Sequence, residues 1–160
     1  MQFMSFKSGE CRYACELNLV QEIIGEPVLE PCLDCSELLV GVFDGARGPL
    51  PVIDLLCRPP DLCPLSEMAL LVFEFGRSLV GLLVDEIGEV FEIYPDAVRP
   101  LSNDDRFAID GLLKGKIELS GNSYYLIDPD RIGKACVAAT VGEGHDMADD
   151  PPGEKWPGRE

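Results

Sequence analysis

Seven cysteines, one histidine and a pair of adjacent acids are the residues of this chain with chemistry to offer. Cys32-Leu33-Asp34-Cys35 has the two-residue gap that lets two thiolates meet one zinc ion, and Cys11 and Cys15 would complete a four-sulfur site. Against that, Arg12-Tyr13-Ala14-Cys15-Glu16-Leu17 alternates as a half-buried strand, with Tyr13, Cys15 and Leu17 facing inward. Cys15 then reads as a small core residue. A redox role for Cys32 and Cys35 needs a helix N-terminus to lower a thiol pKa, and Pro31, Leu33 and Asp34 offer no strand-to-helix context for one. The default reading is of loop and core cysteines, with no metal site.

The other reactive groups point away from catalysis. His145 lies in a Gly- and Pro-rich segment that cannot hold a base within hydrogen-bond reach of a target. No Gly-x-Ser-x-Gly elbow presents a serine nucleophile, and the glycines from Gly41 to Gly48 lie between two β segments rather than before a phosphate-binding helix. Adjacent residues on a strand face opposite ways, so Asp85 and Glu86 cannot share a site without a bulge. Asp85 is expected to cap a turn, Glu86 to be solvated, and Asp54 to receive backbone donors at a strand end. No enzymatic activity and no cofactor are expected.

The chain must then be read for the elements that position these groups. Its 160 residues and 46% hydrophobic content suffice for one domain, or for two small lobes sharing a core. A formal charge of -16, from 29 acids against 13 bases, repels nucleic acid and anionic membrane surfaces and favours partners with basic patches. Residues 1–10 lack the basic start and apolar run of a signal peptide, and Glu74, Arg77, Asp85, Glu86 and Glu89 interrupt the most apolar region. The expectation is a cytoplasmic protein with reduced thiols and no direct membrane insertion.

Short strands separated by turns recur along the chain. Phe3 to Lys7 and Arg12 to Leu17 form one predicted hairpin around Ser8-Gly9. Asn18 and Gln21 have the spacing of a helix cap, which predicts one or two helical turns bearing Leu19, Val20, Ile23 and Ile24. Leu38 to Phe43 and Pro51 to Leu56 are predicted strands, and Arg58-Pro59-Pro60 with Pro64 marks a joint between lobes. Ala69 to Phe75 and Leu79 to Ile87 give the strongest hairpin signal, which Val90 to Ile93 extends. Pro95 to Phe107 reads as loop; Lys114 to Leu119 and Tyr124 to Ile127 pair around Ser120-Gly121, and Asp128-Pro129 starts a helix running to about Ala135. This gives a domain over 1–136, with lobe one about 1–60 and lobe two about 66–136. From 137 to 160, six acids, two bases and crowded Gly and Pro predict a disordered acidic tail.

From about Gln2 to Ala135 the chain resembles CheW-like domains. Four segments carry the likeness in order: Val20-Gln21-Glu22-Ile23-Ile24, the Gly41-Val42 strand running on to Pro51-Val52-Ile53-Asp54-Leu55, Leu82 through Val90, and Leu126-Ile127-Asp128-Pro129-Asp130-Arg131-Ile132. The resemblance implies a mainly β fold: two SH3-like five-stranded β-barrel lobes sharing an apolar core, with short helices. It also implies a non-catalytic adaptor that joins the cytoplasmic tip of a chemoreceptor to the regulatory domain of a CheA-type histidine kinase. The partner-binding positions it suggests are Gly41, Val42, Arg47, Gly48 and Val84. One departure stands out, because family members commonly read Gly-Val-x-Asn-x-Arg-Gly, whereas Arg47 comes six residues after Gly41 instead of five. A bulge permitted by Gly45 and Gly48 is expected to return Arg47 to the same surface. The other class of function left open is a scaffold or small-molecule-binding regulator that kept the fold without array partners.

Overall fold

The computed structural model describes residues 1–31, 38–75, 77–102 and 110–141. Cys32 and Cys35, with the zinc or loop reading attached to them, lie outside the described residues. Among the described residues ten strands form two five-stranded sheets. The strands are β1 Gln2–Ser8, β2 Cys11–Glu16, β3 Val20–Gly25, β4 Leu39–Gly45, β5 Gly48–Asp54, β6 Ala69–Phe75, β7 Ser78–Val84, β8 Glu86–Glu92, β9 Leu113–Leu119 and β10 Asn122–Ile127. A single helix, α1 Pro129–Val141, follows them among the described residues.

Sheet A runs β8-β1-β2-β10-β9 and sheet B runs β3-β6-β7-β5-β4. The two are copies of one topology. In each, a hairpin (β1–β2 or β6–β7) is flanked by an antiparallel edge strand (β8 or β3) and by a parallel neighbour (β10 or β5), which in turn pairs with a hairpin mate (β9 or β4). The registers also correspond, since Leu126 lies beside Ala14 as Val52 lies beside Gly81, and Met4 faces Val90 as Leu71 faces Ile23. Each sheet is drawn towards closure by a single bridge. The chain leaving β3 returns at Glu30 to bridge Val42 on the far edge, and the chain leaving β8 returns at Arg99 to bridge Lys116. Both bridges are reciprocal pairs of backbone hydrogen bonds of 2.8–2.9 Å.

Three apolar clusters stack through the molecule. Leu50, Val52, Leu70, Val72 and Leu83 fill barrel B, while Phe3, Ala14, Ile117 and Leu126 fill barrel A. Between them Met4, Phe6, Tyr13 and Cys15 meet Leu71, Phe73, Val80 and Leu82, with Ile132 and Cys136 of α1 joining this shared core. Strand β6 therefore reads as a continuous apolar run because it is buried on both faces. Each fully buried Leu or Phe there contributes about 1.5–3 kcal/mol. The expected pair of barrels around one apolar core is what the chain forms.

Several expectations need correction. The Val20 to Ile24 segment is a strand, preceded only by a 3-10 turn at Leu17–Leu19 that has no side-chain cap. Three β-branched residues in five favour the pleated state, and β6 supplies a ladder for it. The lobes do not divide the chain at 60–66: barrel A takes β1 and β2 from one end and β8 to β10 from the other, while barrel B takes the middle. The prolines between β5 and β6 lie inside barrel B, where the parallel β5–β7 pairing requires a crossover. The segment after Asp85 does not extend the β6–β7 hairpin, because the chain changes sheets there and pairs with β1. Pro95–Ala97 forms a 3-10 turn, and Arg99 joins a bridge, within the stretch read as loop. Helix α1 continues past Ala135 to Val141, so the first residues assigned to the tail are helical; residues 142–160 lie outside the described residues.

Candidate docking surfaces

The β4–β5 hairpin carries most of the positions singled out by resemblance. Gly45 pairs with Gly48, leaving Ala46 and Arg47 as a two-residue tip. Gly48 takes φ +106°, while neither tip residue has a positive φ, the pattern of a hairpin closed by a bulge glycine. Arg47 is exposed at this tip. Gly41 is buried beneath the segment bridging from Glu30, whose carbonyl oxygen would lie 3.0 Å from a Cβ at 41. Val42 is half-buried, and both its backbone groups bond to Glu30. Its edge is thus occupied, so a partner at β4 must be met by side chains. Val84, like Gly41, is buried; it lies in the shared core and has no surface to offer.

Strands β3 and β8, paired on one side with β6 and β1, have no ladder partner on the other among the described residues. Both present a large apolar side chain in the same place: Ile23 is 48% exposed and Val90 is 50% exposed. Each sits beside a residue of the shared core, Leu71 or Met4, so the two mark the rim of that core on different barrels. Val28 and Tyr94, just beyond these strands, are 78% and 80% exposed. Exposed Glu22 and Glu26 surround the first pair, and exposed Glu86, Glu89 and Glu92 the second. Such an edge combines area for apolar contact with attraction for lysine and arginine. Ile23 was hidden from sequence reasoning by its assignment to a helical stripe; the signal that finds it is the match of Val20-x-x-Ile23 with Ile87-x-x-Val90.

The predicted structural carboxylates do accept backbone donors. Asp54, with no exposed surface, takes N–H groups from Leu56 and Arg58 at 3.2 Å, and it also binds the Arg58 Nε at 2.7 Å. Asp85 takes the Gly9 N–H at 2.6 Å and Arg58 Nη1 at 2.9 Å. Hydrogen bonding to Asp54, followed by that to Asp85, outweighs burial and raises the Arg58 pKa further, so its charge is permanent. Glu86 is exposed, as expected. Burial pushes the Cys15 and Cys136 thiols up to about 12, which makes both inert as nucleophiles near neutral pH. Among the described residues, no group of three or more His, Cys, Asp or Glu is placed to hold a metal ion, and no helix is long and apolar enough to cross a membrane.

Two like barrels around one core define the class of fold, and comparison with known proteins identifies the family. The family model of the CheW-like domain matches residues 2–136, and the chain belongs to that family. It is similar to the probable chemotaxis protein CheW of Rhizobium etli, 25% identical over 103 residues that cover 62% of this chain and 65% of that protein. It is also similar to the chemotaxis protein CheW of Klebsiella aerogenes, 25% identical over 101 residues covering 62% of this chain and 61% of the relative. The chain thus spans less than two thirds of the length of these relatives. Its fold matches that of the scaffolding protein TtCheW from Thermoanaerobacter tengcongensis with a TM-score of 0.69, at 19% identity, covering 79% of this chain and 83% of the other.

Proposed function

We propose that this chain is a non-catalytic, cytoplasmic adaptor that couples the cytoplasmic tip of a methyl-accepting type of chemoreceptor to the regulatory domain of a CheA-type histidine kinase. The observation that carries this reading is the pair Ile23 and Val90, half-exposed apolar residues at corresponding positions on the open edges of different barrels. A protein that joins two others needs docking area on more than one face, and each barrel supplies an apolar patch with an acidic border. The kinase domain and the receptor tip would meet these patches through apolar side chains flanked by lysine or arginine, by strand addition or by a helix lying along the barrel. A separate contact is made at the tip of the hairpin that carries Gly41, Val42 and Gly48, where the exposed guanidinium of Arg47 binds carboxylate or carbonyl oxygens of a partner. The family match over residues 2–136 supports this reading. Titration of the full chain with the kinase regulatory domain and with a receptor-tip fragment tests it.

A further inference from the structure

Asp85 is the single residue between β7 of barrel B and β8 of barrel A. With Leu17–Leu19 it is one of the two places where the chain crosses between the barrels, which also share an apolar core, and here it is bound on every side. Its N–H donates to the Lys7 carbonyl at 2.9 Å, Oδ2 accepts the Gly9 N–H at 2.6 Å, and Oδ1 accepts Arg58 Nη1 at 2.9 Å. Lys7, near the end of β1, and Gly9, in the β1–β2 turn, belong to barrel A, whereas Arg58 follows β5 of barrel B. Arg58 is in turn fixed from its own side, since Nε and Nη2 reach Asp54 at 2.7 and 3.2 Å while its N–H reaches Asp54 Oδ2 at 3.2 Å. The turn that aims it includes Cys57 at φ +53°, a conformation costly for a residue with a Cβ and held here by the Cys57 N–H bond to the Asp54 carbonyl. Beside the polar contacts Leu56 packs so closely on Gly9 that a Cβ there would lie 3.1 Å from it.

We propose that Arg58 is an orientation lock: by clamping Asp85 between Asp54 and the β1–β2 turn, it holds the β7–β8 crossing shut and, on top of the shared core, sets the angle between the barrels. The copy of this arrangement in barrel A has no such reach. Arg131 lies 3.4 Å from Asp128 and donates to the Leu113 carbonyl, both within its own barrel, and its side chain is 53% exposed. One of two equivalent strand-end carboxylates has thus acquired an inter-barrel tie. The lock stands on geometry alone; its consequence for an adaptor, that docking faces on different barrels keep a fixed relation, rests on the function proposed above.

The test uses the full chain labelled with 15N, its residual dipolar couplings and the exchange rate of the Gly9 amide. In the native protein one alignment tensor fits both barrels. In Arg58→Ala the barrels are expected to tilt on their shared core, so that couplings from the two no longer fit one tensor in the native arrangement, and the Gly9 amide to exchange at least ~10-fold faster as the β7–β8 crossing opens. Arg58→Lys, which keeps the charge without the fork, should fall between the two. A common tensor and unchanged Gly9 exchange in Arg58→Ala overturn the proposal. If Arg58→Ala does not fold, Asp85→Asn decides by the same readouts, because it leaves an oxygen for Gly9 and removes the ion pair. Loss of folding in both variants also overturns it, since a lock on orientation leaves the shared core and the core inside each barrel intact.

Discussion

Gly41 and Gly115 hold the same place in the two barrels, each beneath the backbone that closes its sheet. A Cβ at 41 would lie 3.0 Å from the Glu30 carbonyl oxygen, and one at 115 would lie 2.8 Å from that of Arg99 and equally close to Val98 Cγ1. Both bridges depend on the missing side chain. Gly41→Ala and Gly115→Ala are each expected to lower the free energy of unfolding by about 1–3 kcal/mol, the second more than the first. Gly25→Ala, at an open position with nothing within 4 Å, should leave stability unchanged or slightly raised. Urea titrations of the three variants check the order.

Val84 and Arg47 separate core from surface. Val84→Ala empties part of the shared core and should cost about 1–3 kcal/mol in urea unfolding, while the folded fraction binds partners as the native chain does. Arg47→Ala should change stability by less than about 0.5 kcal/mol yet weaken partner binding. Equal loss of affinity in both variants would put Val84 back on a docking path.

The open edges give a third expectation. Ile23→Glu and Val90→Glu place a charge on an exposed position, so circular dichroism and unfolding should be close to native while affinity for a partner falls at least ~10-fold. Because the patches are bordered by glutamates, binding of the native chain should weaken between 50 and 300 mM salt, these being roughly the ionic strengths over which exposed charges become screened. Isothermal calorimetry at both salt concentrations measures each effect.

Alkaline stability follows from the buried thiols. Burial raises Cys15 and Cys136 from an ordinary value of 9.0 to about 12 in the folded chain, so the unfolded state loses these protons first. Their contribution is complete below pH 9.0 and is lost as pH rises towards about 12. Stability should fall by on the order of 1 kcal/mol per pH unit for each thiol across that window. Urea midpoints from pH 8 upward, compared between the native chain and Cys136→Ala, check the slope; the variant should show the shallower decline.

Where turn chemistry and alternation coincide, the hairpins β1–β2, β6–β7 and β9–β10 were legible from residue types alone. Strand β3 was not, because Val20, Ile23 and Ile24 fit a helical stripe as well as a ladder, and only pairing with β6 decides between them. The division into barrels was hidden for another reason. It depends on the parallel pairings β2–β10 and β5–β7, which join distant parts of the chain and leave no local mark. A trace of the duplication is nevertheless present, since Gly41 precedes Ile53-Asp54 at the same spacing as Gly115 precedes Ile127-Asp128. The strand-end role of Asp54 and Asp85 could be read from position, but Arg58 was masked as a flank of two prolines. Val84 was picked out by family likeness, although the unbroken run Leu82-Leu83-Val84 already signals burial on both faces.

Calorimetric titration of the full chain with the cognate kinase regulatory domain and with a receptor cytoplasmic-tip fragment tests the adaptor reading most directly. The account predicts saturable binding to each, weakened for at least one partner by Arg47→Ala and by Ile23→Glu or Val90→Glu. A folded chain that binds neither would contradict it.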